Sequence, residues 1–290
     1  MKVIRRATHA GSWYTGNSTK LNDELDKYLG NANLDQYNHI RAIIGPHAGF
    51  RYCGPTGAYA YKAINTTGIK RVFILGPSHH VYLNGCAISR ASKCETPLGH
   101  LQVDVETVSK LSKTDLFKQL TIEEEEDEHS LEMHMPWVAK TFDVNHIKVV
   151  PIMVGQLPDN KGHVYGELLR PYLEDEENFF VISSDFCHWG QRFSYQYYDK
   201  TKGAIHESIK SLDRLGMEAI ESLDPDTFTA YLKKFKNTIC GRNPILLLLH
   251  CVKKSELKHK MEFVDYSQSS ECEDMEDSSV SYASGILYIE

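Results

Sequence analysis

The sequence predicts an α/β protein with a mostly parallel central sheet, flanking helices and added antiparallel strands near its C-terminal end. Four short apolar runs are rich in β-branched and aromatic residues and are continuous rather than alternating, which is typical of parallel strands buried on both faces. Helical patterns lie between these runs, and alternation of strands with helices favours a parallel sheet. The four predicted strands are residues 42–44, 72–75, 149–154 and 179–182.

The predicted helices are marked by residues that favour helix starts and ends. Apolar side chains recur at helical spacing in residues 21–29, before a predicted end at Gly30, and again in residues 105–111. Two later helices are predicted where a capping residue stands directly before a first-turn proline, at residues 224–225 and 243–244. The predicted N-caps are Ser18, Asp104, Asp224 and Asn243.

The C-terminal part of the sequence has a different pattern. Residues 263–266 and 280–289 resemble strands without a helix between them, so we expect them to extend the sheet as antiparallel strands. The acidic run at residues 123–128 predicts a solvated loop or a helix start, where carboxylates suit the helix dipole. There is no internal repeat and no low-complexity linker, so a single domain over residues 1–290 is expected.

Composition excludes several classes of protein. Hydrophobic residues make up 41% and charged residues 24% of the 290 positions, which excludes a disordered chain, a collagen-like repeat and a coiled coil. The net charge of −7 argues against nucleic acid as a partner. The longest apolar run, residues 245–249, is too short for membrane insertion, which needs about 20 residues.

Cysteine usage and the N-terminal residues predict the compartment. The seven cysteines are scattered and form no CxxC pair, and residues 1–6 lack the apolar stretch of a secretory signal. Free thiols in a reducing compartment are therefore expected. The predicted location is the cytoplasm, with or without the nucleus.

Histidine-bearing turns follow three of the predicted strands. His47 follows the first strand, His79 and His80 follow the second, and Asp185 and His188 follow the fourth. In open parallel sheets, ligands bind outside the carboxyl ends of the strands. Neighbouring strands would bring His47, one of the two adjacent histidines, Asp185 and His188 to one cleft, where Asp185 and His188 form a reasonable acid/base pair.

Cys240 is a fourth candidate, in the turn before a predicted helix. Helix N–H groups and the Arg242 charge would favour a thiolate there, as in a metal ligand or a nucleophile. Most lone intracellular cysteines are instead inert core residues. The residues alone leave both interpretations open.

Two further segments concentrate polar and aromatic side chains. Glu128 and Glu132 are four residues apart, on one face of a helix, whereas His129 and His134 would diverge, so the segment lacks the HExxH order of a zinc protease. A role at the site and a structural role are both open for it. Residues 8–14 place His, Trp and Tyr in a predicted loop, with aromatic core packing as the alternative.

Together these motifs resemble the Memo family, named for a mediator of receptor-driven cell motility. The motifs are long, contain rare residues and occur in the family's order, and they extend from residue 8 to residue 282. The resemblance therefore covers nearly the whole chain. The matching stretches are residues 8–14, 45–49, 73–80, 128–134, 183–192, 237–241 and 277–282.

The resemblance implies a fold similar to the class III extradiol dioxygenases, which are non-haem iron enzymes. Those enzymes bind iron with two histidines and a glutamate and use another histidine as acid/base. Carried over to this chain, His47 and His79 are metal ligands and His188 is the acid/base residue. Cys240 stands at the position of the carboxylate ligand. A thiolate is softer than a carboxylate and favours copper(I), zinc or a differently tuned iron, so oxygenase activity does not follow from the fold.

The resemblance also implies a cofactor and a partner. The expected metal is iron(II) or copper, with an influence on cellular redox state. The same cleft is expected to dock phosphotyrosine peptides. The residues expected to line it for a ligand or peptide are Trp13, Tyr52, His80 and His134.

These implications give two hypotheses for function. The first is a metal-binding regulatory protein with a His/His/Cys cleft, acting in redox and metal homeostasis and in signalling to cell motility or growth through docked phosphotyrosine peptides or signalling proteins. The second is an active non-haem metal-dependent dioxygenase or related oxidoreductase on a small aromatic substrate, with Asp185 and His188 as its acid/base pair. A vestigial pocket on a protein that acts through its surface is the remaining alternative. Whether the protein is an enzyme stays open.

Overall fold

A twelve-stranded sheet organises the computed structural model, which describes residues 3–158 and 161–290. In chain order its strands are β1 (Ile4–Arg5), β2 (Ile40–Gly45), β3 (Arg71–Pro77), β4 (Cys86–Ile88), β5 (Lys93–Thr96), β6 (Gly99–Val103), β7 (Phe117–Gln119), β8 (Lys148–Val154), β9 (Asn178–Ser183), β10 (His188–Trp189), β11 (His259–Gln268) and β12 (Ser279–Ile289).

The helices of the described residues cover this sheet. In chain order they are α1 (Ser18–Asn31), α2 (Phe50–Lys62), α3 (Val105–Ser112), α4 (Ile122–Asp127), α5 (His129–Glu132), α6 (Met135–Thr141), α7 (Gly162–Glu174), α8 (Ile205–Glu221), α9 (Pro225–Phe235) and α10 (Arg242–Lys254).

The centre of the sheet is parallel, as the continuous apolar runs predict. Strands β6, β8, β3, β9 and β2 lie side by side in this order, and each neighbouring pair is parallel. The four predicted strands fall within β2, β3, β8 and β9, and their apolar side chains are fully buried. Helix α2 packs on β2, while α7 and α10 pack on β9. The predicted fold class is confirmed.

The predicted C-terminal strands are also confirmed. Strands β11 and β12 form an antiparallel pair, and β12 joins the sheet antiparallel to β2. The other short strands were not predicted, because pieces such as β4 and β5 have only three and four residues. Runs of that length carry too little periodicity to separate a strand from a loop.

Two helix boundaries were predicted correctly and three were wrong. The Asp104 and Asp224 side chains accept hydrogen bonds from the backbone N–H groups of Thr107 and Thr227, as N-caps do. Helix α1 is capped by Asn17 rather than by Ser18, and it continues through Gly30 to Asn31. Helix α10 begins at Arg242, with Gly241 as its N-cap, and the Asn243 side chain donates to the Gly155 carbonyl.

The acidic run was predicted to be solvated, and the structure corrects this. It forms helix α4, with a capping box at Thr121, so the helix start is confirmed. Glu125, Glu126 and Glu128, however, are buried. Each has a specific partner: Ser89 donates to Glu125, the Arg6 guanidinium pairs with Glu126, and His79 bonds to Glu128.

Among the described residues, none of the helices has the length and apolar character needed to cross a membrane.

Candidate metal centre

The carboxyl ends of three adjacent parallel strands carry the candidate site. His47 lies two residues beyond β2, and His79 lies two residues beyond β3. Asp185 and His188 follow β9, which lies between β2 and β3 in the sheet. Because parallel strands end at the same edge, these side chains meet there. Cys240 reaches this edge from the turn between α9 and α10.

The three predicted metal ligands lie together. One ligand atom from each of His47, His79 and Cys240 lies within 4.8 Å of the other two. The Cys240 Sγ is 3.2 Å from His47 Nε2, and the ring centroids of His47 and His79 are 5.2 Å apart. Ligands of a first-row metal with bonds of about 2.0–2.3 Å lie at comparable separations. The residues present therefore fit a metal ion.

Hydrogen bonds behind the two histidines fix which ring nitrogen is free. His47 Nδ1 lies 2.6 Å from the Ser183 hydroxyl, which donates its own proton to the Ser130 carbonyl. His79 Nδ1 lies 2.9 Å from a carboxylate oxygen of Glu128. Both partners accept, so each histidine carries its proton on Nδ1. This leaves the Nε2 lone pairs free to bind a metal, the arrangement typical of metal-ligating histidines.

The electrostatic environment of the Cys240 thiol differs from the predicted one. Burial and the neighbouring Asp185 charge raise the pKa of the Cys240 thiol, although backbone N–H groups of Asp185 and Gly241 act in the opposite direction. The Arg242 guanidinium instead lies 3.4 Å from the Ile239 carbonyl. The expectation that helix N–H groups and Arg242 favour the thiolate is therefore wrong, because burial and Asp185 outweigh the N–H groups. A metal ion would have to displace the thiol proton.

Asp185 and His188 lie beside the three ligands. Asp185 is buried, and its carboxylate accepts hydrogen bonds from the backbone N–H groups of His47 and Ala48, at 2.8 and 3.3 Å. Burial raises the pKa of Asp185. His188 Nδ1 faces the carbonyls of Phe186 and Thr238, at 2.9 and 3.1 Å, so it carries the proton. His188 therefore presents a free Nε2.

An open cleft of about 530 Å³ is lined by His47, His79, Asp185 and His188. Trp13 and Tyr52 form part of its wall, and both side chains are exposed. Arg192 and Phe193 lie on its wall as well. The cleft therefore combines aromatic faces with one exposed guanidinium.

The structure places two of the predicted cleft residues elsewhere. His134 is fully buried behind the site, where one ring nitrogen lies 2.8 Å from the Tyr61 hydroxyl. His134 lies after the end of α5, as the N-cap of α6, and it contacts Tyr61 rather than the cleft. His80 is exposed and does not line the cleft, since its neighbour His79 takes the inward position.

His129 is a cleft residue that the sequence analysis did not identify. Its ring stacks on His79, with centroids 4.4 Å apart, and on its other side Trp13 lies at the same distance. Burial and the nearby His79 lower the pKa of His129 to about 3. Its position directly after Glu128 was the available signal, but a helical pattern alone does not show which of two diverging histidines faces the site.

Glu132 holds the N-terminal segment against the cleft. The Glu132 carboxylate is fully buried and accepts hydrogen bonds from the Arg5 guanidinium at 2.6 Å and the Tyr14 hydroxyl at 2.8 Å. It also binds the His9 backbone N–H and ring Nδ1, each at 2.9 Å. Residues 8–14 are thus anchored through polar contacts as well as aromatic packing. This anchor fixes the loop that carries Trp13.

The Glu132 anchor predicts an acid-sensitive stability. Burial opposes ionisation, but hydrogen bonds from His9, Arg5 and Tyr14 together with the Arg5 charge lower the pKa of Glu132 from 4.5 to about 2. A depressed folded-state pKa contributes stability above the unfolded value, and this contribution is lost as pH falls from about 4.5 towards about 2, amounting to about 3 kcal/mol. Urea unfolding across this pH range should show the loss of stability. The free energy of unfolding of Glu132→Gln should depend less steeply on pH. Equal slopes for the two proteins would contradict this assignment.

A second buried carboxylate supports the turns that carry His188 and Cys240. Asp213 on α8 is fully buried and accepts hydrogen bonds from the Cys187 backbone N–H, the Asn237 side chain and the Tyr266 hydroxyl. The Thr238 hydroxyl accepts a hydrogen bond from the His188 backbone N–H and donates one to the His188 carbonyl. The two turns are therefore connected to each other and to α8.

Known proteins match this sequence along almost the whole chain. A family model described as "Memo-like protein" matches residues 5–286. Protein MEMO1 of Danio rerio is 49% identical over 293 residues, covering 99% of this chain and 98% of the relative. Protein MEMO1 of Homo sapiens is 46% identical over 292 residues with the same coverage. Protein memo-1 homolog of Caenorhabditis elegans is 48% identical over 290 residues, covering 98% of this chain and 83% of the relative.

Proposed function

The chain belongs to the Memo-like protein family, and we propose that it is a regulatory protein that binds iron or copper through His47, His79 and Cys240. The observation that carries this proposal is the approach of their three ligand atoms to within 4.8 Å of one another. The proposed role is in redox and metal homeostasis and in signalling to cell motility or growth.

The donor set supports a redox-active metal. Two imidazole nitrogens and one thiolate suit copper and iron, and the soft sulfur favours copper(I) over the hard cations magnesium and calcium. When bound, such a metal would supply one-electron redox chemistry. The Ser183 and Glu128 contacts hold both imidazoles in the required tautomer, so metal binding needs little rearrangement of His47 and His79.

The cleft beside the ligands supports docking of a phosphotyrosine peptide. The exposed rings of Trp13 and Tyr52 offer stacking surfaces for a phenyl ring. The Arg192 guanidinium can pair with a phosphate through two parallel hydrogen bonds.

The alternative is a metal-dependent dioxygenase or related oxidoreductase on a small aromatic substrate. The position of His188 favours it, because His188 lines the same cleft as the proposed ligands His47 and His79 and its Nε2 is free. In that case His188 would hold or accept a substrate proton, and Asp185 would keep the His47 backbone in place.

Metal analysis of protein purified without oxygen tests the proposal. We expect about one iron or copper ion per chain, and none in a His47→Ala, His79→Ala double variant whose circular dichroism matches the wild type. A metal-free wild-type protein that also fails to take up iron(II), copper(I) or copper(II) in titration would contradict the proposal. Oxygen consumption with a catechol by the loaded protein would favour the alternative.

His188 is predicted to act on the ligand and not on the metal. We expect His188→Ala to retain its metal and to bind a phosphotyrosine peptide up to about tenfold more weakly, because the variant loses an aromatic face in the cleft, a contact of about 0.5–1.5 kcal/mol. Tryptophan fluorescence can follow the binding, because Trp13 lies in the cleft. His80→Ala is the matched control and should change neither the metal content nor the peptide affinity. Loss of metal in His188→Ala would instead make His188 a ligand.

A further inference from the structure

A second cavity lies at the edge of the sheet opposite the metal centre. It has a volume of about 450 Å³ and is lined by residues 38–41, 65, 67–70 and 176–177. These residues lie at or just before the starts of β2, β3 and β9. The candidate metal centre lies at the opposite ends of the same strands, so the length of these strands separates the two sites.

Arg41 in this cavity is buried without a charged partner. The residue is only 8% exposed, and its Nε atom has no hydrogen-bond partner among the described residues. Its one hydrogen bond within residues 3–158 and 161–290 is from a terminal nitrogen to the Ile40 carbonyl, and it is long, at 3.4 Å. A buried guanidinium is costly unless it is paired and hydrogen-bonded.

The acidic residues near this cavity do not satisfy Arg41. The Asp175 carboxylate is occupied by the Glu177 backbone N–H and the Asn178 side chain. Glu177 forms an ion pair with Lys70 at the rim. Glu176 is exposed and, in the part of the chain that the structure describes, forms no salt bridge with Arg41. The guanidinium therefore keeps hydrogen-bonding capacity next to an open volume.

We propose that this cavity is an oxyanion site, in which Arg41 binds the oxygens of a small carboxylate or phosphate. A guanidinium presents parallel N–H donors that match both groups. Burial keeps water from competing and strengthens the interaction. The charge of Lys70 at the rim is compensated by Glu177, and Glu176 opposes anion entry, so Arg41 is the residue on which anion binding depends. The site is independent of the metal centre and of the function proposed for it.

The proposal is tested by titrating the isotope-labelled protein with inorganic phosphate and, separately, with acetate at constant ionic strength. The readout is the NMR signal of the Arg41 Nε–H group, assigned by its loss in Arg41→Gln. We expect a saturable shift with at least one of the two anions, and their relative affinities identify the preferred class. Arg41→Lys keeps the charge but loses the paired donors, so its affinity, followed by calorimetry, should fall at least about tenfold.

Two variants separate specific binding from general charge effects. Glu176→Gln removes the opposing carboxylate and should tighten binding about threefold or more. Arg90→Gln removes an exposed arginine elsewhere and should leave the affinity unchanged. The proposal is overturned if neither anion gives a saturable shift, or if Arg90→Gln weakens binding as much as Arg41→Lys. It is also overturned if Glu176→Gln lowers the melting temperature without tightening binding, because Arg41 would then be paired with Glu176.

Discussion

Replacing Cys240 by serine is expected to weaken metal binding by at least about a hundredfold. Loss of a residue that only orients a ligand already costs about 10–100-fold in metal affinity, and Cys240 is proposed as a ligand itself. Serine keeps the size of the side chain, but its hydroxyl stays protonated and binds a soft metal poorly. Competition with a chelator of known affinity measures the change.

Spectroscopy identifies the sulfur that binds. Bound copper(II) or cobalt(II) should show a sulfur-to-metal charge-transfer band that disappears in Cys240→Ser. Cys187→Ser is the control, because Cys187 lies beside His188 and is buried. Cys240→Asp should restore a hard carboxylate and shift the preference towards iron(II). If the band disappears in Cys187→Ser and persists in Cys240→Ser, the ligand assignment is wrong and the centre must be rebuilt around Asp185, Cys187 and His188.

Replacing Arg5 by alanine is expected to destabilise the fold by about 3–5 kcal/mol, the cost of leaving a buried charge without its partner. Arg5 is buried, and its guanidinium contacts the Glu132 carboxylate and the carbonyls of Glu125 and Glu128. The variant leaves Glu132 ionised in the core and frees the carbonyls of Arg6, Glu125 and Glu128. Urea unfolding measures the loss.

The neighbouring Arg6 provides a matched control. Its guanidinium pairs with the buried Glu126, but the Arg6 side chain itself is 73% exposed, and solvent weakens the contribution of such a charge to stability. Arg6→Ala should therefore destabilise the protein clearly less than Arg5→Ala. Equal losses for the two variants would show that the buried position of Arg5 has no special role.

The parallel core could be predicted because hydrophobic burial determines it. Residues 72–75 and 179–182 are continuous apolar runs, and they pair in β3 and β9. Short pieces at the margin, such as β7, are determined by tertiary pairing instead. The end of α1 was missed for a related reason, since the packing of the helix outweighs the low helix propensity of Gly30.

The candidate site was predictable in its position and less so in its detail. Strand ends and the family motifs place His47, His79 and Cys240 together, as the structure has them. The contacts that select nitrogen atoms, such as the Ser183 hydroxyl behind His47, join residues 136 positions apart. Local sequence carries no signal for such contacts. The inward position of His129 depends in the same way on how α5 packs against β3.

The two histidines and the cysteine of the metal centre are widely separated along the chain, and this has a consequence for biosynthesis. His47 and Cys240 lie 193 positions apart, and β2 needs β12 to complete its pairing. Contacts of such long range form late, because closing the intervening loop costs entropy that local contacts do not offset. A ribosome-bound chain that ends before residue 240 offers a metal only the histidine pair. Assembly of the proposed three-ligand site therefore requires synthesis to have passed residue 240, which places it after the early steps of folding.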